Sequence, residues 1–434
     1  MRAQTLRAAD SSTTRSSGMV SVAGSEQGGR FFFYLVCLGL VFDLVRPAFV
    51  WHFPKMIFAI LIPAWILKSE KVWTHQMTWF VALLVVMVGD FMIADNLHDA
   101  VWLSYGMLTL FAGTCIPLIN FTTSFSRLRI LVNLILVMFF YVAVYAITHE
   151  GYGPAGAAGG QDENYVAAAM NLVIPLAGFS FFLEKSFWRK LWFGSLVCLY
   201  VMAIIVGLSR GGFLGLIVAM GYCVLKTPKK GLAVIMVMAV GGLLVLAAGA
   251  SYWEEMRTIT DTTESTVDLR LEYWKIAIRE FMEYPLTGVG PGNYPWRMNE
   301  FQTPEQWEKF GRFIFAEVHS TYFQLLAELG LAGCFVFGMF LFRIYRDYLS
   351  IGNWTVLQNG DASIRPDNRS DGRFIWIEAY RKGLMGGILG YLVSVAFLSS
   401  LYYAHLWVFA SMMSALAVIA NKALARVDAD RAKG

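Results

Sequence analysis

The sequence is poor in charge: 15% of its 434 residues are Asp, Glu, Lys or Arg, where a soluble domain usually carries about 25%. Hydrophobic residues make up 57% and the mean hydropathy is +0.54, which excludes a soluble enzyme. The charge balance is small too. A total of 35 Lys and Arg against 31 Asp and Glu gives a net +4, and without a basic patch that surplus does not argue for nucleic acid. Cysteine is sparse. Cys37, Cys115, Cys198, Cys223 and Cys334 each sit in an apolar run with no CxxC spacing. A disulfide framework and a zinc site are thereby excluded, and the five read as small buried hydrophobes. Also missing are an HExxH motif, a His-carboxylate cluster and an EF-hand loop, so neither a metal nor a cofactor is expected. No repeat of fixed period and no low-complexity tract interrupts the apolar region. Residues 1–30 are rich in Ser and Gly and lack an apolar core, which predicts a disordered cytosolic tail and not a signal peptide.

What the chain does have is long apolar runs. A bilayer core of about 30 Å needs about 20 helical residues per crossing. Runs of that kind lie near 31–50, 54–67, 77–93, 101–119, 128–147, 165–183, 191–208, 211–225, 231–250 and 320–345. The stretch 383–420 adds two, because about 38 residues would make about 57 Å of helix, too long for one span. Its break is expected near Ser399 to His405. The sequence therefore predicts an all-α polytopic membrane protein with about twelve transmembrane helices.

Orientation follows from the loops, since Lys and Arg near span ends stay in the cytoplasm. Alternate loops hold 25 of the 35 Lys and Arg on one side and leave 10 on the other. Both termini are thus expected in the cytoplasm. Spans one to nine occupy 31–250, and a large periplasmic loop over 251–318 separates spans nine and ten. The tenth span is 319–345, a cytoplasmic loop covers 346–382, spans eleven and twelve fill 383–420, and a cytosolic tail runs over 421–434.

The outward face carries the candidate chemistry. Val267, Leu271, Trp274, Ile278 and Phe281 recur at spacings of four and three, predicting an amphipathic helix along the membrane surface. Arg270 lies at the edge of that stripe, able to reach a bound anion or ordinary lipid phosphate. The run Leu191 to Leu225 is too long for one span, so a turn is expected at Ser209-Arg210-Gly211-Gly212. There Arg210 stands at the outer boundary beside two glycines and a helix start suited to phosphate, or else simply snorkels at a span end. His319 opens the tenth span. A neutral imidazole with an ordinary pKa of about 6.5 can accept a hydroxyl proton at neutral pH, and a helix start lowers it further; the bland alternative is an interfacial His. The topology brings Arg210, Arg270 and His319 to one leaflet. Glu328, about 13 Å along the helix from His319, is an intramembrane carboxylate and a supporting candidate with Trp274. Asp43 and Arg46 read as a pair that neutralises itself. The loop Gly288-Val289-Gly290-Pro291-Gly292-Asn293 reads as a turn, its spacing being wrong for nucleotide binding.

In order, Ser209-Arg210-Gly211-Gly212-Phe213, Arg270-Leu271-Glu272-Tyr273-Trp274, Pro285-Leu286-Thr287-Gly288-Val289-Gly290 and His319-Ser320-Thr321-Tyr322-Phe323-Gln324-Leu325-Leu326-Ala327-Glu328-Leu329-Gly330 resemble the signature of the O-antigen ligase and Wzy-type polymerase superfamily. The likeness is clearest from about 165 to 335; the N-terminal spans resemble the family only in hydropathy. One departure is Ser320, where the family often has Asn. The resemblance implies a bacterial inner-membrane glycosyltransferase that moves a glycan from undecaprenyl diphosphate to an acceptor hydroxyl at the periplasmic face, without nucleotide sugar or metal. Carried over by motif, Arg210 and Arg270 look like the diphosphate-binding arginines and His319 like the catalytic base. The acceptor stays open: lipid A core for a ligase, the growing glycan for an O-antigen or exopolysaccharide polymerase, or a protein. A secondary transporter is the alternative of another class, although no second copy of the Ser-Arg-Gly-Gly turn accompanies it.

The topology is tested by cysteine labelling. An impermeant maleimide added from outside is expected to label Thr303→Cys and not Ser363→Cys; the reverse pattern would place the large loop, and the site with it, on the wrong side.

Overall fold

A computed structural model of the chain describes residues 29–45, 53–155, 157, 162–247, 265–360 and 371–431. Residues 1–28 of the expected tail 1–30, Arg46 of the expected Asp43–Arg46 pair, residues 251–264, residues 361–370 and the last three residues lie outside the described set, while 29 and 30 are helical.

Among the described residues all regular structure is helical. A helix over 29–44 (α1) is followed by α2 (Phe53–Ile66), α3 (His75–Gly89), α4 (Leu97–Leu110), α5 (Ile116–Phe121), α6 (Phe125–Thr148), α7 (Glu163–Leu183), α8 (Phe187–Val206), α9 (Arg210–Lys226) and α10 (Lys230–Ala247). Then come α11 (Ser265–Glu283), α12 (Pro304–Phe310), α13 (Thr321–Gly360), α14 (Asp371–Ser394) and α15 (Ala404–Arg431), with a four-residue turn at Tyr294–Arg297. Apolar runs take this form because hydrocarbon offers no partner for backbone N–H and C=O groups, which must pair within the segment.

Seven helices among the described residues are long and apolar enough to cross a membrane: His75–Met92, Leu97–Phe121, Phe125–Thr148, Glu163–Leu183, Phe187–Val206, Thr321–Gly352 and Ala404–Ala423. The sequence predicts about twelve. The other expected runs fall on helices that are shorter, as with Met56–Ile66 and Lys230–Ala239 and the 17 residues of α9, or more charged, as in α14 with Arg373, Glu378, Arg381 and Lys382. Of the cysteines, Cys37, Cys115 and Cys223 are buried as expected, whereas Cys198 is exposed and Cys334 half-buried. Both lie on helices of membrane-spanning length, where an apolar side chain can face lipid at no cost.

The most deeply buried helices, α7 and α15, form the centre. Around α7 close packing is set by small residues, which let backbones approach where no hydrophobic effect drives helices together. Gly387 of α14 meets the backbone of Leu172 so closely that a Cβ would overlap the Leu172 carbonyl. One polar node ties three helices: Asn171 Nδ2 donates to Gly212 O of α9 and to Ser394 Oγ of α14, both at 2.9 Å. A π turn at Phe111–Cys115 joins α4 to α5; on it, Thr114 donates a hydrogen bond to Asp43 of α1.

Two departures from simple spans shape the end that carries His319. First, α13 is broken at Gly330, whose φ is 56°. The segment 285–290 fills the break: Val289 N donates to Ala327 O (2.8 Å), Gly290 N to Glu328 O (3.0 Å), Leu331 N to Pro285 O (2.9 Å) and Ala332 N to Leu286 O (3.1 Å). Gly288 and Gly290 also have positive φ, so the expected turn forms there. Second, α11 carries the predicted apolar residues Leu271, Trp274, Ile278 and Phe281 along one side. Its opposite face, Tyr273, Ile276, Ala277 and Glu280, packs into a separate small core with Tyr294, Met298, Phe313 and Val318. Of the predicted stripe, Ile278 is 40% exposed, whereas Trp274 packs against that core. Periodicity reports both faces of a helix that is apolar on two sides and cannot say which one the protein takes.

Replacing Gly387 by Ala should cost about 1–3 kcal/mol, the usual penalty for overpacking, because the blocking atoms are backbone. Thermal unfolding of the detergent-purified variant measures this; an unchanged midpoint would contradict the packing described.

Candidate active site at one end of the bundle

His319 sits in a chain segment between the small core and α13, and it is held in an uncommon conformation. Its φ is 51°, a left-handed value that a residue with a Cβ adopts only when its surroundings impose it. The constraints are visible on both sides. Upstream, Trp274 of α11 donates Nε1–H to Val318 O (3.1 Å) and stacks on Phe323, ring centres 5.0 Å apart. Downstream, Ser320 begins α13, its carbonyl accepting from Gln324 N at 2.8 Å. Thr321 then donates to Leu398 O (2.7 Å) and accepts from Ser400 N (2.9 Å). Trp274 is thus a positioning group for the backbone at His319. Tyr273 stacks near the imidazole with ring centres 6.3 Å apart, so Arg270, Tyr273 and Trp274, three and four residues apart, turn toward one segment.

The electrostatics set the protonation state. Burial and then the nearby Arg270 lower the His319 pKa below its usual 6.5, and Asp162 opposes them in part. The sequence attributes such a shift to the helix dipole; here desolvation and a guanidinium are the causes. Asp162 also caps α7, accepting from Asn164 N at 2.7 Å. Next to it, Glu163 is within electrostatic reach of Arg270.

Arg210 is the first residue of α9, behind the cap Ser209. The glycines after it do not serve a ligand as the sequence suggests. Gly211 admits Phe397 and the Ser394 carbonyl, Gly212 admits Ala167 of α7, and the Gly212 amide is taken by Ser209 Oγ at 3.0 Å. Ser209 in turn donates to Asn164 Oδ1 at 2.8 Å, fixing the Arg210 turn to the start of α7. Trp274 and Gly211 share Phe397 as a neighbour, the two rings lying 6.3 Å apart. The structure therefore gathers the Arg210 turn, Arg270, Trp274 and His319 around the start of α7 and the 394–400 segment.

Beside this cluster lies a cavity of about 370 Å³, with Tyr294, Glu317, Gln324, Glu328, Tyr402 and Tyr403 in its wall. Glu328 has partners the sequence cannot name, accepting from Tyr402 OH (2.7 Å) and Gly292 N (3.0 Å). Desolvation raises the pKa of Glu317, against the hydrogen bond it accepts from Tyr165 OH. Glu280, wholly buried on α11 behind the cavity, has no hydrogen-bond partner on either carboxyl oxygen among the described residues. Burial, with Glu328 near, pushes its pKa well above the usual range. Sequence reasoning missed Asp162, Tyr165, Glu280, Glu317 and Tyr402. Acidic residues at 162 and 163 are legible as an outward loop, but nothing local to them points at His319. Among the described residues there is no cluster of three His, Cys, Asp or Glu side chains that could hold a metal ion.

Fold and site together define a multi-span membrane protein with cationic side chains and a half-buried histidine of left-handed backbone assembled at one end. Residues 193–338 match the family model described as O-antigen ligase, which spans all four motifs above. That match supports a place for the chain in the O-antigen ligase and Wzy superfamily of membrane ligases and polymerases. No curated protein matches it.

The lowered pKa is directly measurable. In histidine-labelled protein followed by NMR, the His319 resonance, assigned by its loss in His319→Gln, should titrate below the usual imidazole value. Arg270→Gln, which removes a repelling charge, should move that midpoint upward; a midpoint indifferent to Arg270 would refute the electrostatic contact.

Proposed function

We propose that the protein transfers a glycan from undecaprenyl diphosphate to an acceptor hydroxyl at the periplasmic face of the inner membrane, with both chain termini in the cytoplasm. The observation that carries this reading is the convergence of Arg270 with a desolvated His319 whose backbone is forced left-handed, beside the turn that presents Arg210.

In the proposed reaction the acceptor oxygen gives its proton to the neutral His319 imidazole and attacks the anomeric carbon of the donor sugar. The bond from that carbon to the diphosphate oxygen breaks, and its electron pair leaves with undecaprenyl diphosphate. Negative charge grows on the leaving group in the transition state. Two guanidinium forks held in a partly dehydrated site stabilise that charge through paired hydrogen bonds, with no metal required. The lowered pKa of His319 keeps the base available at neutral pH, and a positive neighbour that disfavours imidazolium also favours proton release after transfer. The adjacent cavity, with carboxylates, an amide and tyrosines in its wall, suits a sugar acceptor. A lipid A core acceptor makes the protein an O-antigen ligase, and a glycan acceptor makes it a polymerase; the released product tells them apart.

Purified protein in liposomes with a lipid-diphosphate-linked glycan tests the roles. His319→Ala should slow transfer by about a hundredfold to ten-thousandfold while donor binding persists. Arg210→Lys and Arg270→Lys keep charge and lose the fork, so each should weaken donor binding and transfer severely. Near-normal transfer by His319→Ala would remove the base, and loss of donor binding in that variant would reassign it to the donor pocket. Full activity of both Lys variants would mean that the arginines only anchor span ends.

A further inference from the structure

Two exposed aromatic rings stand beside the 370 Å³ cavity. Trp296 is 41% exposed and Phe315 57%. Their ring centres lie 4.5 Å apart with the planes at 88°, so together they form a right-angled corner. Three chain segments join this corner to the cavity. Pro295 directly before Trp296, Glu317 two residues after Phe315, and Leu103, one helical turn beyond Asp99 on α4, all line the cavity wall.

Neither ring is loosely held. Trp296 donates its indole Nε1–H to Asp99 Oδ2 at 2.8 Å, and the same oxygen accepts from Asn96 Nδ2 at 3.1 Å, which fixes the plane of the indole. Phe315 has a φ of 49°, a left-handed backbone that a residue with a Cβ takes only under constraint. His319, four residues on, has the same conformation with a φ of 51°. Between these two bends, Glu317 and Val318 enter the cavity wall, so one short segment presents an exposed ring at one end and the histidine at the other.

Exposed aromatic rings on a membrane protein commonly sit among lipid head groups. The surroundings of these two favour a different occupant. Arg297, next to Trp296, is engaged with Glu300 at 2.9 Å, and the cavity wall holds Glu317 and Glu328 but no basic side chain among the described residues. A lipid phosphate finds no cation in that wall. An uncharged sugar ring matches both parts of the surface. Its C–H face is weakly positive and stacks on the negative face of an aromatic ring, while its hydroxyls donate to carboxylate, amide and tyrosine oxygens such as those of Glu317, Gln324 and Tyr403.

We propose that the Trp296–Phe315 corner is a sugar-stacking subsite that grips the acceptor glycan at a ring remote from the reacting hydroxyl, the cavity holding the sugars between. As an acceptor subsite it rests on the glycosyl-transfer reading above.

The test uses the full chain in detergent and two probes, the oligosaccharide released by mild acid from the cells' lipid-linked glycan and the delipidated core oligosaccharide of their lipopolysaccharide. Calorimetry on the His319→Ala protein, which requires no transfer, should show one of the two binding, and the one bound names the source of the acceptor. In that background Trp296→Leu and Phe315→Leu keep apolar bulk and lose the aromatic face. Each should weaken binding about tenfold, and Trp296→Phe should retain most of it. Both rings are exposed, so a loss of binding is not a loss of fold. With His319 present, the same Leu variants should raise the acceptor KM about tenfold while kcat at saturation and the donor KM stay within about twofold. Binding unchanged in the Trp296→Leu, Phe315→Leu double variant, with normal transfer, overturns the subsite and leaves the transfer reading standing. Ring-dependent glycan binding without transfer by the wild type keeps the glycan site and sinks the transfer reading. Failure of both glycans to bind overturns the subsite, as does a defect of the Leu variants seen in liposomes and absent in detergent, which would make the rings a membrane anchor.

Discussion

At Gly330 a membrane-spanning helix stops and restarts, and four backbone groups that would otherwise be orphaned are taken up by residues 285–290. In an apolar surrounding each unpaired amide or carbonyl costs several kcal/mol, so the break and the loop that fills it can exist only together. Everything at this end depends on that clamp. It fixes the segment 285–292 against α13, which lets Gly292 donate to Glu328. The same chain holds α11 over the start of α13 through the small core of Ile276, Tyr294 and Val318. With α11 fixed, Trp274 can hold the Val318 carbonyl, and the backbone at His319 is forced into its left-handed turn.

The electrostatics of the end follow from this geometry. A histidine partly removed from water beside a guanidinium is held neutral, and neutrality is what a proton acceptor needs. Glu280, whose carboxyl has no hydrogen-bond partner among the described residues, has its pKa pushed up by the same desolvation.

Much of this was legible in residues. The helical class, the presence of membrane spans and the family signature all follow from hydropathy and from the four motifs, because these are properties of short stretches. The turn at 288–293 was readable from its glycines. By contrast, the side of α11 that packs on protein was not read. Val267, Leu271, Trp274, Ile278 and Phe281 form a true stripe, but so do Leu269, Tyr273, Ile276, Ala277 and Glu280, and only contact with Tyr294 and Met298 distinguishes them. The glycines after Arg210 were read as room for a ligand; they are room for Ala167 and Phe397.

The sequence by itself determined a helical membrane protein that carries motifs similar to those of the O-antigen ligase and Wzy superfamily, and it singled out Arg210, Arg270 and His319, because charge inside an apolar chain is rare and therefore conspicuous. Tertiary structure alone decided what surrounds them. Asp162, Tyr273, Glu317 and Tyr402 are ordinary residues in their local stretches. They become part of a site because helix packing brings positions more than a hundred residues apart into reach of one imidazole and one cavity. Desolvation, which lowers the pKa of His319 and raises that of Glu280, is likewise a property of the assembled fold, since it depends on how much water neighbouring segments exclude and not on the identity of the titrating group.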